Sequence, residues 1–118
     1  MSALSFHPNT YPLQNAGRTG LAAPIESTPL QDFMETLSVN LVAAFLCTRE
    51  ALRAFKSQSP PGGRIINNGS LAAHVPRPHG SSYSISKHAM LGLTKSTALE
   101  GRAYGIAVTQ IDIGMLAK

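Results

Sequence analysis

A chain of 118 residues has room for one hydrophobic core and too little for two domains of ordinary size. With 43% hydrophobic and 14% charged residues it is too apolar to be disordered. Ten Lys and Arg against six Asp and Glu leave a formal charge of +4, but the basic residues stand singly along the chain, so neither nucleic acid nor an anionic membrane is expected as a partner.

Cys47 is the single cysteine, so no internal disulfide can form and a reducing compartment is the simpler expectation. Residues 1–14 lack a basic start followed by an apolar run, and no apolar stretch is read as approaching the roughly 20 residues that span a bilayer. The expected location is the cytoplasm.

In chain order, residues 1–12 carry Pro8 and Pro12 without periodicity and read as irregular, and residues 12–15 offer one short strand. Gly17, Gly20 and Pro24 mark a loop. A helix is then expected from Thr28, with Thr28 as cap, Pro29 in the first turn and Gln31 completing a capping box. Leu30, Phe33, Met34, Leu37, Leu41, Phe45, Leu52 and Phe55 recur at helical steps and predict one buried stripe, ending near Lys56 before Ser59-Pro60-Pro61-Gly62-Gly63. Arg64-Ile65-Ile66-Asn67 reads as a buried strand, residues 69–82 as a polar loop, and residues 82–104 as a second helix. The apolar residues of that helix (Ile85, Ala89, Met90, Leu91, Leu93, Ala98, Leu99) predict burial on more than one face. Gly105 breaks it, and residues 106–113 form a last strand. Helix, strand, helix, strand with short connections is the grammar of an α/β domain with a parallel sheet. If the strands lie side by side in chain order, right-handed crossovers put both helices on one face. The opposite face, drawn from Ile65, Ile66, Ile106, Val108 and Ile111, is then left bare.

Tyr83 and Lys87 stand four residues apart near the start of the second helix, hence on one face. A tyrosine with a pKa of about 10 is a poor acid or base at neutral pH. An adjacent ammonium favours the phenolate and moves it toward useful strength. Ser70 ends a predicted strand, where parallel sheets place their sites, and the loop to Tyr83 is long enough to bring its hydroxyl beside the phenol. Such a hydroxyl can hydrogen-bond a substrate oxygen on which charge develops. His7, His74, His79 and His88 lack metal-ligand spacing. Cys47, Met34, Met90 and Met115 read as core residues.

Asn15-Ala16-Gly17, then Val39-Asn40-Leu41 in the long helix, then Arg64-Ile65-Ile66-Asn67-Asn68-Gly69-Ser70, then Tyr83-Ser84-Ile85-Ser86-Lys87-His88-Ala89 resemble, in order and spacing, the central segment of short-chain dehydrogenases/reductases, from about residue 14 to residue 114. The resemblance implies a partial Rossmann-like, doubly wound parallel sheet over residues 1–118, about three strands with two long helices. It implies Tyr83 as the acid–base residue, Lys87 as its electrostatic partner and holder of the nicotinamide ribose, Ser70 as the group orienting the substrate oxygen, and Asn40 as the anchor of a proton-relaying water. Asn15, Ala16, Gly17 and Gly114 would lie along the cofactor. Gln14 stands where the family has Asn, and Ile113-Gly114 where it has Pro-Gly. The family's opening Thr-Gly-x-x-x-Gly-x-Gly turn, which cradles the cofactor pyrophosphate, has no match in the chain, and neither does its C-terminal segment. The function implied is hydride transfer between NAD or NADP and a small carbonyl/alcohol substrate, in a homodimer or homotetramer. The alternative is a truncated, non-catalytic fragment acting as a helix-mediated interaction module.

Overall fold

The computed structural model describes residues 13–14, 17–70 and 78–113. Three parallel strands, β1 (Leu13–Gln14), β2 (Gly63–Ser70) and β3 (Ile106–Ile113), lie side by side in that order. Leu13 faces Ile66, and β2 pairs with β3 from Gly63 opposite Ile106 to Ser70 opposite Ile113. Between β1 and β2 runs a helix in three parts: α1 (Leu30–Leu37), a π-helical turn (Ser38–Val42) and α2 (Ala43–Ser57). Between β2 and β3 runs α3 (Ser81–Gly101). This is the expected partial α/β architecture of about three strands and two long helices.

The helix start differs from the expectation. The Thr28 hydroxyl donates to the Pro24 carbonyl at 2.9 Å and the Gln31 amide to the Glu35 carboxylate at 3.0 Å, so no capping box forms. Pro29 takes the cap position instead, in an extended conformation that proline's fixed φ supplies without strain. At the other end, the Gly62 N–H donates to the Phe55 carbonyl at 3.2 Å, turning the chain back toward β2.

The buried stripe of this helix is also not the expected one. The fold buries Asp32, Thr36, Asn40, Ala44, Cys47, Thr48, Ala51 and Phe55. Of the apolar series only Phe55 is fully buried, while Leu30 (73%), Met34 (55%) and Phe45 (49%) are largely exposed. Small and polar side chains let the helix lie close to its neighbours, and hydrogen bonds take up most of their polar atoms. In α3, likewise, Ser82, Ser84, Ser86, Lys87, Met90, Thr94, Thr97 and Gly101 are buried, whereas Ile85 and Leu99 are exposed. Cys47 and Met90 are core residues as expected; Met34 is not, and Met115 lies outside the described residues. The expectation that no apolar stretch approaches bilayer length also needs correcting. By length and composition, Leu30–Ser57 is one described helix that could cross a membrane.

Ala51, Phe55, Ile65 and Ile106 form the core between helices and sheet, with Leu52 and Val108 packed against it. A Cβ on Gly63 would stand 2.6 Å from the Phe55 ring, so this ring rests directly on the β2 backbone. Alternation along the strands turns Ile65, Asn67, Ile106 and Val108 toward the core. The opposite face is therefore less apolar than expected: it carries Arg64, Ala107 and Thr109 beside Ile66 and an exposed Ile111. Phe55→Ala should cost about 3–5 kcal/mol, and Ile111→Thr, on the open face, less than about 0.5 kcal/mol. Urea denaturation of the two variants against the parent chain checks this, and comparable losses would contradict the assignment of faces.

Candidate active site

The first turns of α3 stand at the C-terminal end of β2, because a helix returning between two parallel strands runs antiparallel to them. Their entry is held by a short bridge between Ala23 and Gly80, with the Ala23 N–H donating to the His79 carbonyl at 3.1 Å. His79 adopts a positive φ of 63° to make the turn. Tyr83 and Lys87 then share a face, and the Lys87 Nζ lies 5.7 Å from the centroid of the Tyr83 ring. Lys87 is buried, with 7% of its surface exposed, and Tyr83 is half-buried. Among the described residues no carboxylate pairs with Lys87. A buried ammonium without a counter-ion is costly unless a ligand's oxygens satisfy it. His88 points elsewhere, its Nδ1 2.8 Å from the Ser84 carbonyl.

Ser70 is the last residue of β2, which runs three residues past the expected strand end at Asn67. Asn15, Ala16 and Gly114 lie outside the described residues. Gly17 is exposed, and a Cβ there would meet only the Asn40 Oδ1, at 4.0 Å.

Asn40 is buried in the π-helical turn, where the Ala43 N–H reaches back five residues to the Ser38 carbonyl. Such turns are rare and concentrate at functional sites. The Asn40 Oδ1 accepts from the Arg18 N–H at 2.6 Å, and its Nδ2 donates to the Arg18 carbonyl at 2.7 Å and to the Ser86 Oγ at 2.9 Å. Ser86 in turn donates to the Tyr83 carbonyl at 2.8 Å. One amide thus ties the loop after β1, the helix and the first turn of α3 together. The sequence reading quoted Ser86 inside its motif without a role. The available signal was a serine three residues after Tyr83, a spacing at which a helical hydroxyl reaches a backbone carbonyl.

A second cluster was missed altogether. The Arg18 guanidinium forms an ion pair with Asp32, approaches Glu35 at 3.3 Å and donates to the Thr36 hydroxyl at 3.2 Å. Asp32 also accepts from the Leu21 N–H at 3.0 Å. Gly20, with a φ of 76°, lies where a Cβ would come within 2.8 Å of the Thr36 hydroxyl oxygen, so only glycine lets the loop settle on α1. Arg18 and Asp32 are 14 residues apart, so no local period reveals their pairing. The start of α3 thus offers a phenol beside a buried ammonium. Such a set can move a proton on and off a substrate oxygen and stabilise its charge.

A family model described as short chain dehydrogenase matches residues 13–117. The chain is 42% identical over 97 residues to sorbitol-6-phosphate 2-dehydrogenase of Escherichia coli, covering 82% of this chain and 37% of that one. Among solved structures it resembles an NAD+-bound xylitol dehydrogenase, with a TM-score of 0.84 at 31% identity over 92% of this chain and 41% of that one. It also resembles acetoin dehydrogenase from Enterobacter cloacae, with a TM-score of 0.84 at 37% identity, covering 92% of this chain and 42% of that one. The chain therefore spans about two fifths of the length of the relatives it matches.

The Leu21 N–H, and then Arg18 through its hydrogen bond and charge, hold the Asp32 carboxyl below its ordinary pKa against the opposing pull of burial. Because the folded value lies below the unfolded one of about 3.9, the stability contributed by Asp32 is fully present above that pH. It is lost as pH falls through the lower, folded value. Asp32→Asn should therefore unfold at a lower temperature than the parent at neutral pH, with the two midpoints converging in acid. A deficit that persists unchanged at acid pH would show that the charge is not what Asp32 contributes.

Proposed function

Because the chain belongs to the short-chain dehydrogenase family, we propose that its residues handle the proton in hydride transfer between a nicotinamide dinucleotide and a small carbonyl/alcohol substrate. The observation that carries this reading is the buried Lys87 ammonium, 5.7 Å from the centre of the Tyr83 ring, on the helix that starts beside the end of β2. Lys87, with no carboxylate partner among the described residues, fits the ribose hydroxyls of NAD or NADP. The NAD+ bound by the xylitol dehydrogenase neighbour supports a cofactor of this kind.

A nicotinamide dinucleotide held by Lys87 would supply or accept the hydride. In reduction the Tyr83 hydroxyl gives its proton to the substrate oxygen, and in oxidation it takes that proton back. The Lys87 ammonium stabilises the phenolate left behind. Ser70 donates a hydrogen bond to the same oxygen as its charge grows. The Asn40 amide nitrogen has both hydrogens committed, to Arg18 and Ser86, so the relay water is assigned to an Asn40 carbonyl oxygen.

Exposed Leu30, Met34, Val42 and Phe45 on the first helix and Ile85 and Leu99 on α3 suit a homodimer or homotetramer interface better than water. The first helix also buries Asp32, Thr36, Asn40 and Thr48, a polar face that suits a soluble core better than lipid. The reading is completed by a cytoplasmic protein with no nucleic-acid or membrane partner.

Residues 14–114 can be grafted in place of the matching segment of the Escherichia coli sorbitol-6-phosphate 2-dehydrogenase. Tyr83→Phe in that graft should lower turnover at least about 10²-fold, the usual loss on removing a general acid–base. Near-complete retention of activity would overturn the role given to Tyr83. Sedimentation of the chain at micromolar concentration should show self-association, and a stable folded monomer would contradict the interface.

A further inference from the structure

Resting on the oxidoreductase reading above, we propose that Thr94 is a positioning residue, whose hydroxyl sets the height of Tyr83 and Lys87 against the end of β2. Three elements meet at that one atom. The Asn67 Nδ2 on β2 donates to the Thr94 Oγ1 at 3.0 Å, and the Thr94 Oγ1 donates to the Gln110 Oε1 on β3 at 2.9 Å. Asn67 and Gln110 are directly opposite each other in the strand register, so α3 is pinned above a single cross-strand pair. Asn67 and Thr94 are both buried.

The distances from this anchor match. Lys87 stands seven residues before Thr94, almost two full helical turns, which keeps it on the same face and about 10.5 Å away along the axis. Ser70 stands three residues beyond Asn67, about 10 Å along the strand. Because α3 runs antiparallel to β2, both arms extend in the same direction, and the anchor brings Lys87 level with Ser70. Tyr83 follows one turn further, above the strand end. Apolar packing between a helix and a sheet tolerates small slides, whereas a hydroxyl that both accepts and donates defines one height. For stability as such, apolar residues of the same shape at all three positions would serve nearly as well, whereas removing the threonine hydroxyl alone leaves the buried Asn67 amide without its partner.

The test compares Thr94→Val, which keeps the shape and removes the hydroxyl, with Thr94→Ser, which keeps the hydroxyl. Both are made in the ¹⁵N-labelled 118-residue chain and read by amide resonances. In Thr94→Val the resonances of residues 83–87 and 68–70 should shift, although they lie far from the substitution, while in Thr94→Ser they should stay near their parental positions. Shifts confined to the residues packed on Thr94, or equal distant shifts in both variants, would overturn the proposal. If Thr94→Val gives no folded spectrum, Gln110→Met removes one arm of the anchor and should shift the same distant resonances. A folded Gln110→Met chain with residues 83–87 unmoved would overturn it equally. The readout does not depend on turnover. Distant shifts together with a Tyr83→Phe graft that keeps nearly full activity would support the anchor while refuting the oxidoreductase reading.

Discussion

The arrangement of the site depends on the amide of Asn40. Held in the π-helical turn, it clamps the backbone of Arg18 with one donor and one acceptor and gives its remaining hydrogen to Ser86. Without the extra residue of that turn, the side chains before and after it on the helix would be out of phase by about 100°. The amide could not then face the loop while Ala51 and Phe55 face the sheet. A neutral hydrogen bond is worth only about 1 kcal/mol net, but leaving a buried amide unsatisfied costs more. The network therefore acts chiefly by excluding other arrangements of loop, helix and α3.

The same logic explains why the helices bury polar residues and expose apolar ones. Thr36, Asn40, Ser86 and Thr94 sit where elements approach closely, and each finds a partner there. Small side chains permit that approach, whereas leucine or phenylalanine would hold the elements apart. The larger residues are displaced to the outer faces, where Met34, Phe45, Ile85 and Leu99 are exposed. Thr48, Asn67 and Ser82 each keep a buried oxygen without a partner among the described residues. The contact between helices and sheet is thus tuned for position rather than for the greatest apolar burial, as suits a scaffold that must hold a tyrosine, a lysine and a strand end in one relation.

The apolar core and the polar network lie at opposite ends of the sheet. Phe55, Ile65 and Ile106 form the apolar core at the end of the sheet where β2 begins. Asn40, Ser86 and the Arg18–Asp32 pair order the opposite end, where α3 starts. Thr94, with Asn67 and Gln110, lies between them and couples the two.

Much of this was legible along the chain, because local patterns are written in local spacing. The β-branched Ile65-Ile66, the prolines after Ser59 and the glycine at 105 mark strand and helix ends, and a step of four residues from Tyr83 to Lys87 puts both on one helical face. These are properties of neighbours in sequence, so sequence by itself determined the element order, the parallel sheet and the pairing of phenol with ammonium. It did not determine which stripe of the first helix faces inward. Hydrophobic periodicity pointed to Leu30, Met34 and Phe45, but burial is decided by how closely partners from elsewhere in the chain approach. Nor could it show the π-helical turn, the Arg18 clamp or the Asn67–Thr94–Gln110 anchor. The clamp and the anchor depend on groups between 14 and 46 residues apart whose hydrogen bonds exist only once the crossovers have folded. Tertiary structure alone decided these, because a buried polar atom takes its partner from whichever element is brought within about 3 Å of it.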